Sequence, residues 1–409
     1  MSLRSTVVNR IRRQFARVAG VVIPAGTLTA CSTPPNAPPI ESRVVYSDAF
    51  TIDTLYASMQ GPYRVLKVHL ADSTSHDLLW VVGYEAAIVD ADTREPKSSE
   101  FMCHSNVDLD MARHRQIFGW RKYPSRRLFT LSEGQTEVRL PEGFGIPLRS
   151  DEPLSVTAQV LNHNHKGGPV RVRQRVTVHF VRDRALARPL VPLYQRGVNT
   201  LVRLEGPSGG YGEEIDEPSA HDHGGAEGMA ADTMPYRDKA GRSFAGHWVV
   251  KPGREVRRTP LNGWLSLRQD MKIHFVSVHL HPFAESIMLR DVTTGDTVLA
   301  SKAENHSARI GLARIDHIAS TEGITLRKDH EYELVSAYNN TSGADRTAMA
   351  VMYLYVEDTE FKKKPTANSH RGPRRLPRRY APARVASPAS DAGSTAACVM
   401  LALTTTRPA

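Results

Sequence analysis

Apolar and polar residues alternate with a period of two along most of the chain between about residues 43 and 357. In the clearest segment, 170–180 (VRVRQRVTVHF), four valines and a phenylalanine share one face and three arginines occupy the other. This alternation is typical of half-buried β-strands, because successive side chains of a strand point to opposite faces. Segment 154–160 (LSVTAQV) alternates in the same way, and the turn-forming residues 162–169 between the two segments predict a β-hairpin.

Turn-forming residues recur at the spacing of a β-sandwich, and no long amphipathic helical pattern follows the N-terminal region. Residues 186–244 differ, because they contain the Gly-rich segments GPSGGYG and AHDHGGAEGM. Such segments favour a connection between domains. The sequence therefore predicts an all-β protein of two antiparallel β-sandwiches, 43–185 and 245–358, joined by a Gly-rich connector.

The composition is that of a globular protein. The chain has 409 residues, of which 40% are hydrophobic and 23% charged, and three cysteines. These values exclude a wholly disordered chain and a disulfide scaffold. The sequence contains no run of about 18 uncharged apolar residues, so no transmembrane helix is predicted.

The net charge of +10 lies at the two ends of the chain. Residues 1–31 hold five arginines and no acid, and residues 361–409 hold ten Lys and Arg against one Asp. The remaining residues, 32–360, carry 38 basic and 42 acidic residues, so the body is slightly acidic. This excludes a basic nucleic-acid groove in the body. The basic, Pro-rich tail 359–409 cannot bury a core and is predicted to be disordered.

The N-terminal segment 1–31 has the pattern of an export signal, with arginines followed by a short apolar stretch and small residues. Its end, Leu-Thr-Ala-Cys31, resembles a bacterial lipobox, in which the cysteine is lipidated. The Pro-rich residues 32–42 then predict an extended tether. The chain is therefore expected to be exported and anchored to a membrane through Cys31, facing the periplasm or the cell exterior. A soluble export signal with a chance cysteine is the alternative.

A His-x-His pair provides the strongest candidate site. His279 and His281 are two residues apart on a predicted strand, so both imidazoles point to one face and can chelate one metal ion. A third ligand can come from segment 347–356, where Met349 and Met352 lie on opposite faces. Two histidines and a thioether form a soft donor set that suits copper, especially Cu(I), while a packed methionine is the ordinary alternative.

The C-terminal half resembles the second domain of the copper type II, ascorbate-dependent monooxygenases, the peptidylglycine α-hydroxylating and dopamine β-hydroxylating enzymes. The resemblance covers about residues 245–357 and rests on the order of five features: Trp248-Val-Val-Lys-Pro-Gly253, His279-Leu-His281, Tyr338-Asn-Asn-Thr341, Met349 and Tyr353. It implies two jelly-roll-like sandwiches, each with a copper ion. It also implies that His279, His281 and Met349 are catalytic residues that hold the copper at which oxygen is activated, with ascorbate as an external reductant.

The first half departs from the family pattern. Where the family has a His-His pair, this chain has Cys103 and His104, and the histidine expected after Gln-Val is displaced to His163 or His165. Neighbouring residues of a regular strand point to opposite faces, so a copper site using both Cys103 and His104 requires a β-bulge or a loop there. The alternative is a small buried cysteine and a hydrogen-bonded histidine. One copper ion is therefore expected, with a second in question.

Two further departures concern the substrate and the disulfides. Ser277 occupies the position of the family's carboxylate-binding arginine, which argues against a peptidylglycine substrate, and the family disulfides are absent. Three functions remain open. The first is a monooxygenase that hydroxylates a C–H bond with O₂ and an external reductant, the second is a copper-binding or copper-handling lipoprotein without turnover, and the third is a structural or adhesive protein.

Overall fold

The strands of the first half form two sheets that face each other. The computed structural model describes residues 38–119, 125–204, 236–237, 241–261, 265 and 267–362. The strands of this half are β1 Glu41–Tyr46, β2 Phe50–Ile52, β3 Tyr63–Val68, β4 Leu78–Asp90, β5 Met102–Leu109, β6 Arg127–Leu131, β7 Glu137–Arg139, β8 Phe144–Arg149, β9 Leu154–Val160 and β10 Val170–Arg182. One sheet has the order β1-β10-β4-β8, with β2 also paired to β10 and β7 to β4, and the other has the order β3-β9-β5-β6. The chain crosses repeatedly between the sheets, which is the connectivity of a jelly roll.

The second half repeats this connectivity. Its strands are β15 His247–Val250, β16 Gly253–Pro260, β17 Met271–Leu280, β18 Ala284–Asp291, β19 Thr297–Asn305, β20 Leu312–Ile315, β21 Ile318–Leu326, β22 Tyr332–Asn340 and β23 Arg346–Glu357. One sheet has the order β16-β22-β18-β19-β20, while β15, β23, β17 and β21 belong to the other. The protein is therefore all-β, as the alternation of the sequence predicts, and each half is a jelly-roll sandwich.

A strand of the predicted connector joins the two jelly rolls. Strand β11 (Val191–Asn199) pairs in parallel with β8 and antiparallel with β23, so one 11-stranded sheet runs through both halves. Strands β12 (Val202–Arg203), β13 (Tyr236–Arg237) and β14 (Ser243–Ala245) form a small separate sheet. The connector thus includes a buried strand. Its Gly-rich residues 205–235, the export signal and tether up to residue 37, and the tail from residue 363 lie outside the described residues.

Strands β17 and β23 are buried on both faces. Alternate residues of β23, among them Met352 and Leu354, belong to the core inside the second jelly roll. The residues between them, among them Met349 and Tyr353, belong to a core shared with the first jelly roll. This sheet of the second jelly roll is therefore the surface against which the first one packs.

One local prediction, the hairpin, differs from the structure. Strands β9 and β10 are not a hairpin, because β9 pairs with β3 and β5 while β10 pairs with β1 and β4 of the opposite sheet. The turn residues 162–169 instead carry the chain across the sandwich. A short helix, α1 (Met111–Phe118), also follows β5, where Asp110 accepts a hydrogen bond from the Arg113 backbone N–H and Gly119 ends the helix with φ 87°. None of the helices in the described ranges combines the length and the apolar character that a membrane span requires.

Candidate metal centre between the two jelly rolls

Strand β17 places the His-x-His pair on the face that meets the first jelly roll. His279 lies in β17 and pairs with Val351 of β23, while His281 follows the strand and donates its backbone N–H to the Met349 carbonyl at 3.2 Å. Both side chains are 2% exposed. Their neighbours Val278 and Leu280 point into the second jelly roll's own core. The two imidazoles are therefore buried between the jelly rolls.

A β-bulge in strand β5 brings the first jelly roll's candidates to the same place. Pairing with β9 shifts register between Met102 and His104, so Cys103 is the extra residue of the bulge. Cys103 Sγ lies 3.1 Å from His104 Nδ1, and both residues are buried. The structure thus contains the bulge that a joint role of Cys103 and His104 requires.

His104 reaches across the junction to His279. Their Nε2 atoms are 2.9 Å apart and their ring centroids 4.3 Å apart, although 175 residues separate them in the chain. If the two rings are in direct contact, one Nε2 carries a proton and donates a hydrogen bond to the other Nε2. The same separation also suits two ligands of one metal ion, because metal–nitrogen bonds of about 2.0–2.1 Å would then meet at about 90°. His104 therefore lies with the histidines of the second jelly roll.

The opposite ring nitrogens of this pair have partners of their own. His104 Nδ1 contacts Cys103 Sγ, and His279 Nδ1 lies 3.2 Å from Ser132 Oγ. With protons on both Nδ1 atoms, both Nε2 atoms would present lone pairs to a metal ion. Hydrogen bonds of this kind fix the tautomer and orientation of histidine ligands in metal sites.

His281 is held by its backbone and leaves one ring nitrogen unsatisfied. The hydroxyl of Tyr338 accepts from the His281 N–H at 3.4 Å and donates to the Met349 carbonyl at 2.5 Å. His281 Nδ1 lies 3.3 Å from the Thr347 carbonyl, whereas its buried Nε2 makes no hydrogen bond within the described residues. Burial, followed by the nearby His247, holds the pKa of His281 well below its usual value. A neutral imidazole with an unused buried nitrogen is the form that binds metals.

The sheet faces distinguish the two candidate methionines. Met349 is 2% exposed and lies on the face of β23 that meets the first jelly roll, as His279 and His281 do. Met352 points into the core of the second jelly roll, on the opposite face. Only Met349 therefore shares a face with the histidine pair.

The loop histidines of the first jelly roll behave differently from each other. Burial, followed by the charge of Arg346, lowers the pKa of His163 to about 4, and its Nε2 is buried without a hydrogen bond in the described part of the chain. His163 also contributes to the lowered pKa of His281. His165 instead contacts the Gly168 carbonyl at 2.9 Å within its own loop. Thus His163 belongs to the surroundings of the site and His165 does not.

A cavity of about 20 Å³ adjoins the histidine pair and is lined by residues of both jelly rolls, among them Cys103, Ser132, Glu133, His279 and His281. Such a volume accommodates a water molecule or a metal ion. Burial raises the pKa of the Glu133 carboxyl, against the opposing effect of its hydrogen bond with Arg309. The cavity is therefore small, with one carboxylate at its wall.

The donor atoms fit copper in kind but do not form a complete cage. Imidazole and thioether donors, with a thiol nearby, suit Cu(I) better than hard cations. Across the described ranges, no three His, Cys, Asp or Glu side chains are arranged as a ready metal site. These four residue types do not include Met349. A site here would combine histidines with the methionine.

Sequence reasoning overlooked three residues at this junction, Ser132, Glu133 and His247. The His247 ring lies 5.6 Å from that of His281, on strand β15 beside Met349. Ser132 and Glu133 occupy a tight turn that connects β6 and β7. A turn between two strands carries no chemical motif, so the sequence offered no signal for these two. His247 adjoins the Trp248 segment that supports the family resemblance.

No family model matches the chain, and no curated protein matches it. Among solved structures, it is similar to a peptide-N(4)-(N-acetyl-β-D-glucosaminyl) asparagine amidase, with 10% identity over 78% of this chain and 98% of that chain and a TM-score of 0.30. PNGase F from Flavobacterium meningosepticum gives 8% identity, coverage of 79% and 98%, and a TM-score of 0.32. The STIV MCP gives 8% identity, coverage of 77% and 97%, and a TM-score of 0.26. At these TM-scores the likenesses carry no argument about function.

Proposed function

We propose that this chain is a copper-binding protein that holds one copper ion, as Cu(I), between its two jelly rolls. The observation that carries the proposal is the approach of His104 Nε2 to His279 Nε2 at 2.9 Å, with the His281 ring 5.3 Å from that of His279 and its buried Nε2 without a hydrogen bond among the described residues. Met349, on the same sheet face, would supply the thioether. All four side chains are buried, and their imidazole and thioether donors suit a soft monovalent ion.

Binding or handling of copper without turnover is favoured over catalysis by the position of His104. The adjacent cavity, of about 20 Å³, has room for the ion. His104 also lies against His279, whereas a relay of a second electron calls for a separate copper ion in the first jelly roll. Copper at this junction would link the two jelly rolls.

Copper stoichiometry of the full chain tests the proposal. After loading with Cu(I) and washing, the wild-type protein should retain one copper per chain. His279→Ala/His281→Ala should retain none, and His104→Ala should bind much more weakly. His165→Ala is the matched control, because His165 contacts its own loop, and it should bind as wild type does. No bound copper in the wild-type protein, or full retention in the double variant, would refute the proposal.

A copper-dependent monooxygenase is the second candidate. It is favoured by the shared sheet face of His279, His281 and Met349, the three residues that the family resemblance assigns to the oxygen-activating copper. It predicts ascorbate-dependent O₂ uptake that disappears in His279→Ala. Copper-loaded protein that consumes no O₂ in the presence of ascorbate and a broad substrate panel would leave the non-catalytic function.

Export and a lipid anchor belong to the same proposal and rest on the sequence of residues 1–31. Metabolic labelling with a fatty acid should label the wild-type protein and not Cys31→Ser. An unlabelled, secreted wild-type protein would contradict the anchor.

A further inference from the structure

A loop of the second jelly roll contacts Glu133 of the first jelly roll, a residue that lines the cavity beside the histidines. Residues 306–311 connect β19 to β20 and are called the strap below. The strap is bound mainly by two side chains of the first jelly roll. Arg309 forms an ion pair with Glu133 at 2.5 Å. The Asn164 amide donates to the Ile310 carbonyl at 2.8 Å and accepts from the Ile310 N–H at 3.0 Å.

The strap passes close to Glu133 at Gly311. Gly311 has φ 147°, and a Cβ at this position would clash with the Glu133 carboxylate. Glu133 itself is 6% exposed and lines the cavity beside Cys103, His279 and His281. The strap is therefore in close contact with Glu133, which forms one wall of the cavity.

The beginning of the strap is tied to the histidine segment. Asn305, the last residue of β19, accepts a hydrogen bond from the Phe283 N–H at 2.6 Å and donates one to the Ala284 carbonyl at 2.8 Å. Phe283 follows His281 by two residues. The strap is thus anchored at one end beside the site and bound along its length by polar contacts that solvent can replace.

We propose that the strap is a gate that controls access to the cavity between the jelly rolls and opens when the Arg309–Glu133 and Asn164–Ile310 contacts break. These contacts are polar, and the strap adds little apolar packing to them, since Ile310 is half-buried and Ser307 and Ala308 are exposed. Strand pairing of β19 with β20 on one side of the strap stays intact in the open form. This proposal depends on the proposed function only for the identity of the ion that enters or leaves through the gate.

Cys103 provides a test that needs no copper. It lines the cavity and is 3% exposed, and the other two cysteines of the chain can be removed as Cys31→Ser and Cys398→Ser. In this full-length background, alkylation of metal-free protein by iodoacetamide should be at least tenfold faster in Arg309→Ala than with Arg309 present. Asn164→Ala should accelerate alkylation as well.

Arg314→Ala is the matched control, because Arg314 lies on the same hairpin but pairs with Glu304 and Asp316 at the exposed surface. Its alkylation rate should equal that of the background. Urea denaturation of each variant measures global unfolding, and the acceleration should exceed the factor that any loss of stability explains. Equal rates for Arg309→Ala and Arg314→Ala would overturn the gate.

Extraction of Cu(I) by a chelator separates the gate from the proposed function. Arg309→Ala should release copper at least tenfold faster than wild type while binding the same amount per chain. If wild type binds copper but releases it at the same rate as Arg309→Ala, the gate is wrong. If wild type binds no copper, the proposed function fails, and the alkylation rates still decide whether the strap is a gate.

Discussion

The hydroxyl of Ser132 should tune the copper affinity of His279. Ser132 Oγ lies 3.2 Å from His279 Nδ1, on the side of the ring opposite to the Nε2 that faces His104. When Nε2 binds a metal ion, the ring proton resides on Nδ1, where Ser132 accepts it. Loss of such a partner typically weakens metal binding by about 10–100-fold, which corresponds to about 1.4–2.7 kcal/mol. Ser132→Ala is expected to show a loss in this range.

The assay is a competition titration of Cu(I) between the full chain and a chelator of known affinity. Ser150→Ala is a suitable control, since Ser150 is a fully buried serine of the same jelly roll whose hydroxyl contacts Ser75 and the Asp77 N–H. The control removes an equivalent hydroxyl and should bind copper as wild type does. Ser132→Thr retains an acceptor and should recover most of the affinity.

An unchanged affinity in Ser132→Ala would refute the argument that the Nδ1 partner sets the tautomer of His279. An equal loss in Ser132→Ala and Ser150→Ala would refute it too, because the effect would then reflect general destabilisation. A weaker site with unchanged stoichiometry is the outcome that supports the tautomer argument.

Three further predictions concern copper binding, stability and pH. Met349→Leu should weaken Cu(I) binding, while Met352→Leu should not. Both variants should change the free energy of unfolding by less than about 1.5 kcal/mol, because side-chain volume is conserved. Equal copper affinities of the two variants would contradict the assignment of Met349 as the ligand. Tyr338→Phe should lower the free energy of unfolding, measured in urea, by about 0.5–1.5 kcal/mol, because the Met349 carbonyl loses one donor and keeps the His281 N–H; no loss would contradict it. The hydrogen bond from Arg149 holds the pKa of Asp151 below its usual range. The ionised Asp151 therefore stabilises the fold above pH 4, and this contribution is lost as the pH falls. Asp151→Asn should therefore be less stable at pH 7, with a difference from wild type that shrinks below pH 4.

Strand periodicity predicted most of the fold because each strand carries its own alternation. Segment 170–180 is a strand with Val172, Val176 and Val178 in the core, as its pattern indicates. Pairing was harder to predict, because turn residues at 162–169 suit both a hairpin and a crossing between sheets. The structure has the crossing, and the short helix α1 was too brief to give a helical period.

The junction between the jelly rolls depends on contacts that local patterns do not encode. His104 and His279 are 175 residues apart, and their approach requires the bulge at Cys103 together with the packing of two sheets. A signal was nevertheless present in segment 348–356 (AMAVMYLYV), whose nine residues are all apolar and are all buried in the structure. Nine consecutive apolar positions are not typical of a strand with one solvated face, since such a strand alternates. The sheet face that carries His279 therefore had to meet another layer, which makes the histidine pair part of an interface.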